Sequence, residues 1–294
     1  MVASSWCDAV LFNLEYAAQV DICEELLTTR WRRLITGDFR PRHSLPGELV
    51  ISITSYPPRY HCVDTAIKCL LSQSIRPDRI ILWLAHDDIS DLPCAVRALT
   101  KYGLEIKPTD DVGPYKKIIP ALVAYPNAFV VTADDDVFYG EHWLAALVRE
   151  WNQSKSAAIC HRAHRVRYEH DGQPLPYMRW EFELDEPDCS PDVFATGCGG
   201  VLFTPQALHP DVLRQDLFTV LSPYADDVWL YCMLRRAGNK FRKTGNWYAA
   251  INLPDSQKVA LALSNQDGGN DRQLRNIINY YGEPLSTFGR VAGE

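Results

Sequence analysis

Phe129-Val-Val-Thr-Ala-Asp-Asp-Asp136 is an apolar run that ends in three consecutive carboxylates. The run from Phe129 to Ala133 reads as a strand buried on both faces, and Asp134, Asp135 and Asp136 stand where that strand surfaces. Alternation along a strand places residues 134 and 136 on one face and 135 on the other. Two carboxylates on one face suit a hard divalent cation such as Mg²⁺ or Mn²⁺, which would in turn hold a diphosphate. An acidic triplet also suits a solvated turn. The choice between the two therefore depends on the strand before it and the chain around it.

Outward from this stretch, strands and helices alternate from residue 48. Leu49–Thr54 reads as a strand, Tyr56-Pro-Pro-Arg59 as a stiff loop and Val63–Gln73 as a helix. A second strand over Arg79–Leu84, a short helix over 91–102 and a third strand over Leu104–Lys107 follow. Tyr115–Ala124 is helical, Phe129–Ala133 is the fourth strand, and Glu141–Trp151 is a further helix. This order predicts an α/β, Rossmann-like fold: a mostly parallel central sheet with helices on both faces. Ligands bind such sheets at the strand carboxyl ends. Tyr56–Arg59, His86–Asp88, Asp110–Lys117 and Asp134–Asp136 all fall there. After residue 152 the rhythm loosens. Ala157–Cys160 is a strand, the 165–192 segment is polar, aromatic and Pro-rich, Val201–Phe203 follows a glycine cluster, and Asp226–Ala237 is a helix.

Residues 6–36 form an N-terminal helical extension, with Leu11, Leu14, Ala18, Ile22, Leu26 and Ile35 at roughly helical spacing. This helix is expected to pack on the main domain or on a partner protein. The sharper alternative is peripheral contact with an anionic membrane surface. Residues 37–47 are a linker, so the expected division is 1–47 and 48–294.

The 294 residues are 47% hydrophobic, enough for one large core. A net charge of −7 without a basic tract speaks against nucleic acid as a partner. No apolar run approaches the roughly 18–20 residues that cross a bilayer. The first residues lack the pattern of a signal peptide. Nine cysteines without a C-x-x-C, several inside apolar segments, look like buried free thiols and point to a cytoplasmic, reducing location, peripheral at the inner membrane face if the first helix meets lipid. Clustered ligand spacing for zinc is missing.

Five motifs carry a family resemblance: Ile51-Ser-Ile-Thr-Ser-Tyr-Pro-Pro-Arg59, Gly113-Pro-Tyr-Lys-Lys-Ile-Ile-Pro120, Thr132-Ala-Asp-Asp-Asp136, Thr196-Gly-Cys-Gly-Gly-Val201 and Ala225-Asp-Asp-Val-Trp229. In this order, over residues 48 to 283, the chain resembles a bacterial GT-A glycosyltransferase of the family 2-like kind that serves surface polysaccharide synthesis. The resemblance implies a nucleotide-sugar donor, with UDP favoured, a glycan or lipid-linked acceptor, and Mn²⁺ or Mg²⁺ as cofactor.

It also implies roles. Tyr56 and Arg59 would wall the nucleobase pocket, where a ring stacks on a base and a guanidinium meets phosphate. Asp87 and Asp88 follow the second strand, where the family often places a base-reading acid, but at a different spacing, and a helix N-cap by Asp88 or Ser90 explains them equally well. Asp136 would be the direct metal ligand, with Asp134 beside it and Asp135 as a donor-sugar contact. The last histidine is His209, so the downstream histidine ligand of many relatives is missing, and phosphate oxygens, water, Asn270 or Asp271 would complete the site. Asp227 would be the general base of an inverting transfer, with Asp226 orienting it.

Several residues bear directly on this chemistry. Asp111 could read the base, and Lys117 at the start of a helix could offset diphosphate charge. Gly197, Gly199 and Gly200 permit a close backbone approach, and the resemblance puts this loop beside the donor sugar. Asp226 and Asp227 also suit a helix N-cap. Trp229 suits either a sugar ring or the core. His161, Arg162, His164, Arg165 and Arg167 form a basic cluster that would meet an anionic acceptor or stand in solvent. Gly268–Arg272 reads as a lid whose Arg272 closes on the diphosphate. The competing functions are a retaining transferase, a sugar-phosphate nucleotidyltransferase and a non-catalytic glycan-binding module. The nucleotidyltransferase usually carries a Gly-rich basic loop after the first strand, which Ser55–Arg59 lacks.

Overall fold

The strand at 129–133 does form, and it lies near the middle of a seven-stranded sheet. The computed structural model describes residues 2–245, 250–259 and 268–282. Its strands are β1 (Leu49–Thr54), β2 (Arg79–Ala85), β3 (Leu104–Thr109), β4 (Phe129–Ala133), β5 (Val137–Phe138), β6 (Ala158–Cys160), β7 (Ala163–Arg165), β8 (Val193–Ala195), β9 (Val201–Phe203), β10 (Phe241–Lys243) and β11 (Ile251–Asn252). Its helices are α1 (Val2–Ile35), α2 (Val63–Leu71), α3 (Cys94–Arg97), α4 (Ile119–Ala124), α5 (Trp143–Ser154), α6 (Gln215–Leu221), α7 (Asp226–Arg236) and α8 (Asn270–Tyr281).

The sheet order is β10-β6-β9-β4-β1-β2-β3, and the other pairs are β5 with β11 and β7 with β8. All neighbours in the large sheet are parallel except β9, which runs against β4 and β6. The expected mostly parallel α/β architecture is therefore present. Side-chain alternation explains its two cores. Leu49, Ile51, Ile53, Phe129 and Val131 enter one core with α2 and α5, while Val50, Ile81 and Val130 enter the other with α7 and α8.

α1 packs through Val20 and Leu27, and its buried Arg30 donates to the Tyr139 carbonyl at 2.6 Å. No helix among the described residues is long and apolar enough to cross a membrane.

Two expected helices are broken by proline. Pro93 caps the start of α3, which continues as a 3-10 turn over Ala98–Tyr102. The helix expected over 115–124 splits into a 3-10 turn (Gly113–Lys117) and α4, because Pro120 lacks an N–H and disfavours helix just before it. That break leaves Lys116 and Lys117 buried instead of on an exposed first turn. The Pro-rich segment after residue 165 lies between β7 and β8, whose small antiparallel sheet is separate from the main one.

Candidate active site

The carboxyl ends of β1, β2, β3 and β4 share one edge of the sheet. Because β9 is reversed, the loop at its start, Thr196–Gly200, reaches the same edge. Loops along this edge enclose a cavity of about 1120 Å³.

β4 ends at Ala133, and residues 134–136 turn into β5. The turn is fixed by the Asp134 N–H, which donates to the Tyr139 hydroxyl at 2.7 Å. Asp134 Oδ1 accepts from Lys117 Nζ at 2.7 Å. Asp135 accepts from Ser55 Oγ at 2.5 Å and from Arg59 Nη1 at 3.2 Å. Asp136 Oδ2 lies 2.6 Å from Arg59 Nη1 and 3.0 Å from Gln257 Nε2. The expected split, 134 and 136 against 135, is thus corrected. A turn replaces the strand there, all three residues line the cavity, and Asp135 and Asp136 share Arg59. Burial, and then Asp136, push the Asp135 carboxyl up to about 7 against the pull of Ser55 and Arg59. Burial and Asp134 likewise raise Asp136.

Arg59 closes a 3-10 turn that Pro57 and Pro58 preset. Expected to face a phosphate, its guanidinium is instead buried on two carboxylates, and its Nε has no hydrogen-bond partner. Tyr56 lines the cavity beside it.

Lys117 also departs from its expected place at a helix start. Its Nζ reaches both Asp134 and, at 3.0 Å, Asp226 Oδ2, the second contact not aligned as a hydrogen bond. Burial opposes its charge, but Asp134, Asp226 and Asp227 outweigh burial and hold it protonated. α7 begins at Asp226, yet the cap position belongs to Ala225 and carries no side-chain cap. Asp227 Oδ2 instead accepts the Gly197 N–H at 3.0 Å. One ammonium cannot balance three carboxylates. Burial raises Asp226, and burial together with Asp226 pushes Asp227 up to about 7.

The glycines have separate duties. A Cβ on Gly197 would lie 2.9 Å from Asp227 Oδ1 and 3.0 Å from Lys117 Nζ. On Gly199 it would meet Arg162 Cβ at 2.6 Å, and on Gly200, where φ is +85°, the Trp143 ring at 2.3 Å. The close approach at Gly199 and Gly200 is thus to neighbours within the protein, and neither residue is among those lining the cavity.

Asp88 and Asp111 also line the cavity. Asp111 Oδ1 accepts from Lys116 Nζ at 2.8 Å, which holds its carboxyl below the usual range.

The basic cluster is not a cationic patch: His161 and His164 are buried, Arg167 is exposed, and its three arginines are ion-paired. Arg162 pairs with Glu183 at 2.5 Å, Arg165 with Asp188 at 2.8 Å, and Arg167 with Glu181. Burial presses His161 and His164 down to about 4, so both are uncharged. Trp229 is fully buried and donates to the Val212 carbonyl, a core residue and not a sugar platform. The expected lid runs into α8, where Asp271 Oδ1 accepts the Tyr177 N–H at 2.7 Å and Arg272 is exposed away from the cavity lining. Asn270 does line it.

Ser55 and Gln257 escaped sequence reasoning as partners of the acidic turn. Ser55 sits directly after β1, a usable signal; Gln257 is in a 3-10 turn without a motif. Among the described residues no group of three or more His, Cys, Asp or Glu side chains forms a ready metal site. The cavity lining nonetheless carries eight carboxylates against four lysine and arginine side chains.

A solved structure of a mannosyltransferase from Pyrobaculum calidifontis, in complex with GDP-Man and Mn²⁺, matches this chain with 12% identity and a TM-score of 0.50, covering 90% of this chain and 74% of that one. The fold is of the GT-A, Rossmann-like type. Two looser matches are 4-diphosphocytidyl-2C-methyl-D-erythritol synthase (12% identity, 79% of this chain, 100% of that one, TM-score 0.44) and CMP:2-keto-3-deoxy-manno-octonic acid synthetase complexed with CTP (12%, 75%, 99%, 0.42). No protein-family model matches the chain, and no curated protein sequence does.

Proposed function

We propose that this chain is a metal-dependent, inverting glycosyltransferase that moves a sugar from a nucleotide-sugar donor, with UDP favoured, to a glycan or glycolipid acceptor. The catalytic unit is residues 48–294, with 1–47 as an appended helix and linker, and its place is the cytoplasm. The observation that carries this reading is Lys117. It joins the acidic turn after β4 to the Asp226–Asp227 pair across one cavity.

The excess of carboxylates would repel a diphosphate, so a cation must enter with it. Asp134 and Asp136 offer hard oxygen donors facing the cavity and would hold Mn²⁺ or Mg²⁺ together with phosphate oxygens and water. When bound, the cation would offset the negative charge growing on the leaving diphosphate. Tyr56 walls the nucleobase end. Asp227, whose carboxyl burial and then Asp226 push up to about 7, takes the proton of the acceptor hydroxyl as that oxygen attacks the anomeric carbon and the bond to diphosphate breaks. Gly197 N–H orients the Asp227 carboxylate. Asp226 and Lys117 hold the charge around it.

Thermal-shift screening with UDP, GDP and CMP, each with and without Mn²⁺, tests the reading. Stabilisation by a nucleoside diphosphate only with metal is the expected result. Indifference to every nucleotide would overturn it in favour of a binding module. Hydrolysis of a panel of nucleotide sugars then identifies the donor.

A further inference from the structure

The cavity that holds Asp227 is also lined by exposed aromatic rings. There Phe182 and Tyr224 line the wall with 37% and 55% of their surfaces exposed. Both are held in place. Phe182 packs on His164 at 4.4 Å and on Tyr177 at 5.3 Å between ring centroids. The Tyr224 N–H donates to Gln273 Oε1 at 2.9 Å, two residues before Asp226. Exposed rings inside a concave site, one packed by its neighbours and the other anchored through its backbone, offer a surface that a ligand face can cover.

The charges at this end are settled internally. Arg162 is bound by Glu183 at 2.5 Å and donates to Thr196 Oγ1 at 2.9 Å. His164 Nδ1 accepts the Glu183 N–H at 2.9 Å, which fixes it as an acceptor there, and burial keeps it uncharged. The four lysine and arginine side chains of the described lining are each ion-paired within the protein, and the lining as a whole is acidic.

We infer that the Phe182–Tyr224 end is an acceptor subsite for an uncharged sugar ring, a neutral glycan or glycoside, which lays its apolar face on these aromatics with a hydroxyl towards Asp227. This rests on the donor reading above and narrows its acceptor: a phosphorylated or diphosphate-linked sugar is disfavoured in the subsite itself.

The test uses the full chain with Mg²⁺ and UDP or GDP filling the polar end. Saturation-transfer NMR compares p-nitrophenyl glycosides of mannose, galactose and glucose with the corresponding hexose 1-phosphates. Expected are sugar-ring signals from the neutral set, reduced at least about 5-fold in Phe182→Ala and restored in Phe182→Trp, with the phosphates at background. Phe182 is exposed enough for these variants to fold, and Tyr224→Ala provides an independent second loss. Binding of the hexose 1-phosphates at least as strong, neutral binding untouched by both alanine variants, or binding by neither set would each overturn the inference. Thermal stabilisation by nucleotide and Mg²⁺ is read in the same samples. Nucleotide binding with no glycoside binding sinks only the acceptor subsite, whereas glycoside binding without nucleotide binding sinks only the donor reading.

Discussion

Lys117 Nζ stands 2.7 Å from Asp134 Oδ1, so a buried ammonium from the loop after β3 neutralises a carboxylate from the turn after β4. Because the same ammonium also reaches Asp226, one side chain ties both halves of the candidate site together.

Lys117→Met should therefore destabilise the fold by about 3–5 kcal/mol at pH 8, since it strands buried carboxylates without a counter-charge. The loss should shrink at pH 5, where the Asp227 carboxyl, pushed up to about 7 by burial and Asp226, takes up a proton. Urea unfolding at the two pH values checks this; an equal loss at both would show that Lys117 acts through packing alone.

Asp227 gives a pH dependence of definite sign. Its folded pKa of about 7 lies above the unfolded value of about 3.9, so the folded state binds the proton more tightly. Its contribution to stability is fully present below about pH 4, falls as pH rises to about 7 and is flat above. Asp227→Asn keeps an acceptor for the Gly197 N–H and removes the charge. It should be more stable than the parent by about 1–3 kcal/mol at pH 8 and little changed at pH 4, in urea titrations without divalent cation. Turnover of the parent should rise with pH through about 7.

The sheet was legible in the sequence because parallel interior strands must be apolar on both faces, and Leu49–Thr54 and Phe129–Ala133 are. Proline placed the breaks that pattern matching smoothed over: Pro120 halts the helix expected from Tyr115. The contents of the cavity could be gathered, since carboxyl ends of parallel strands share one edge. Side-chain aim could not. The strand ends at Ala133 as its apolar run indicates, but Asp134–Asp136 form a turn, and a turn has no two-residue period. The partners of Arg59 and Lys117 lie far off in the chain, at Asp135, Asp136 and Asp226, so only tertiary packing pairs them. The same holds for Gly200, whose need for glycine comes from the Trp143 ring.

Two glycine substitutions in that loop should fail differently. Gly200→Ala forces a left-handed backbone on alanine and drives a methyl group into Trp143, and should cost at least about 2 kcal/mol of stability. Nucleotide affinity of the remaining folded protein should stay the same. Gly197→Ala presses on Asp227 and Lys117 and should lower turnover at least about 10-fold through the displaced carboxylate. Denaturation melts beside donor-hydrolysis rates separate the two; a matching loss of stability in both variants would count against this assignment.

Asp136 and Asp227 divide the proposed labour between donor and acceptor. Asp136 faces the cavity from the acidic turn, where a cation and diphosphate would sit, whereas Asp227 is held by Gly197 on the far side of Lys117. Asp136→Ala should abolish metal-dependent nucleotide binding, since it removes one of the two cavity-lining carboxylates, Asp134 and Asp136, proposed to hold the cation. It also frees Arg59 from one partner, so weak nucleotide binding without metal is the expected residue of affinity. Asp227→Ala should leave that binding within about 2-fold and cut kcat by about 10²–10⁴, the usual scale of a lost general base. Calorimetry of UDP with Mn²⁺ beside steady-state kinetics measures both quantities, and equal losses of nucleotide affinity in the two variants would refute the division.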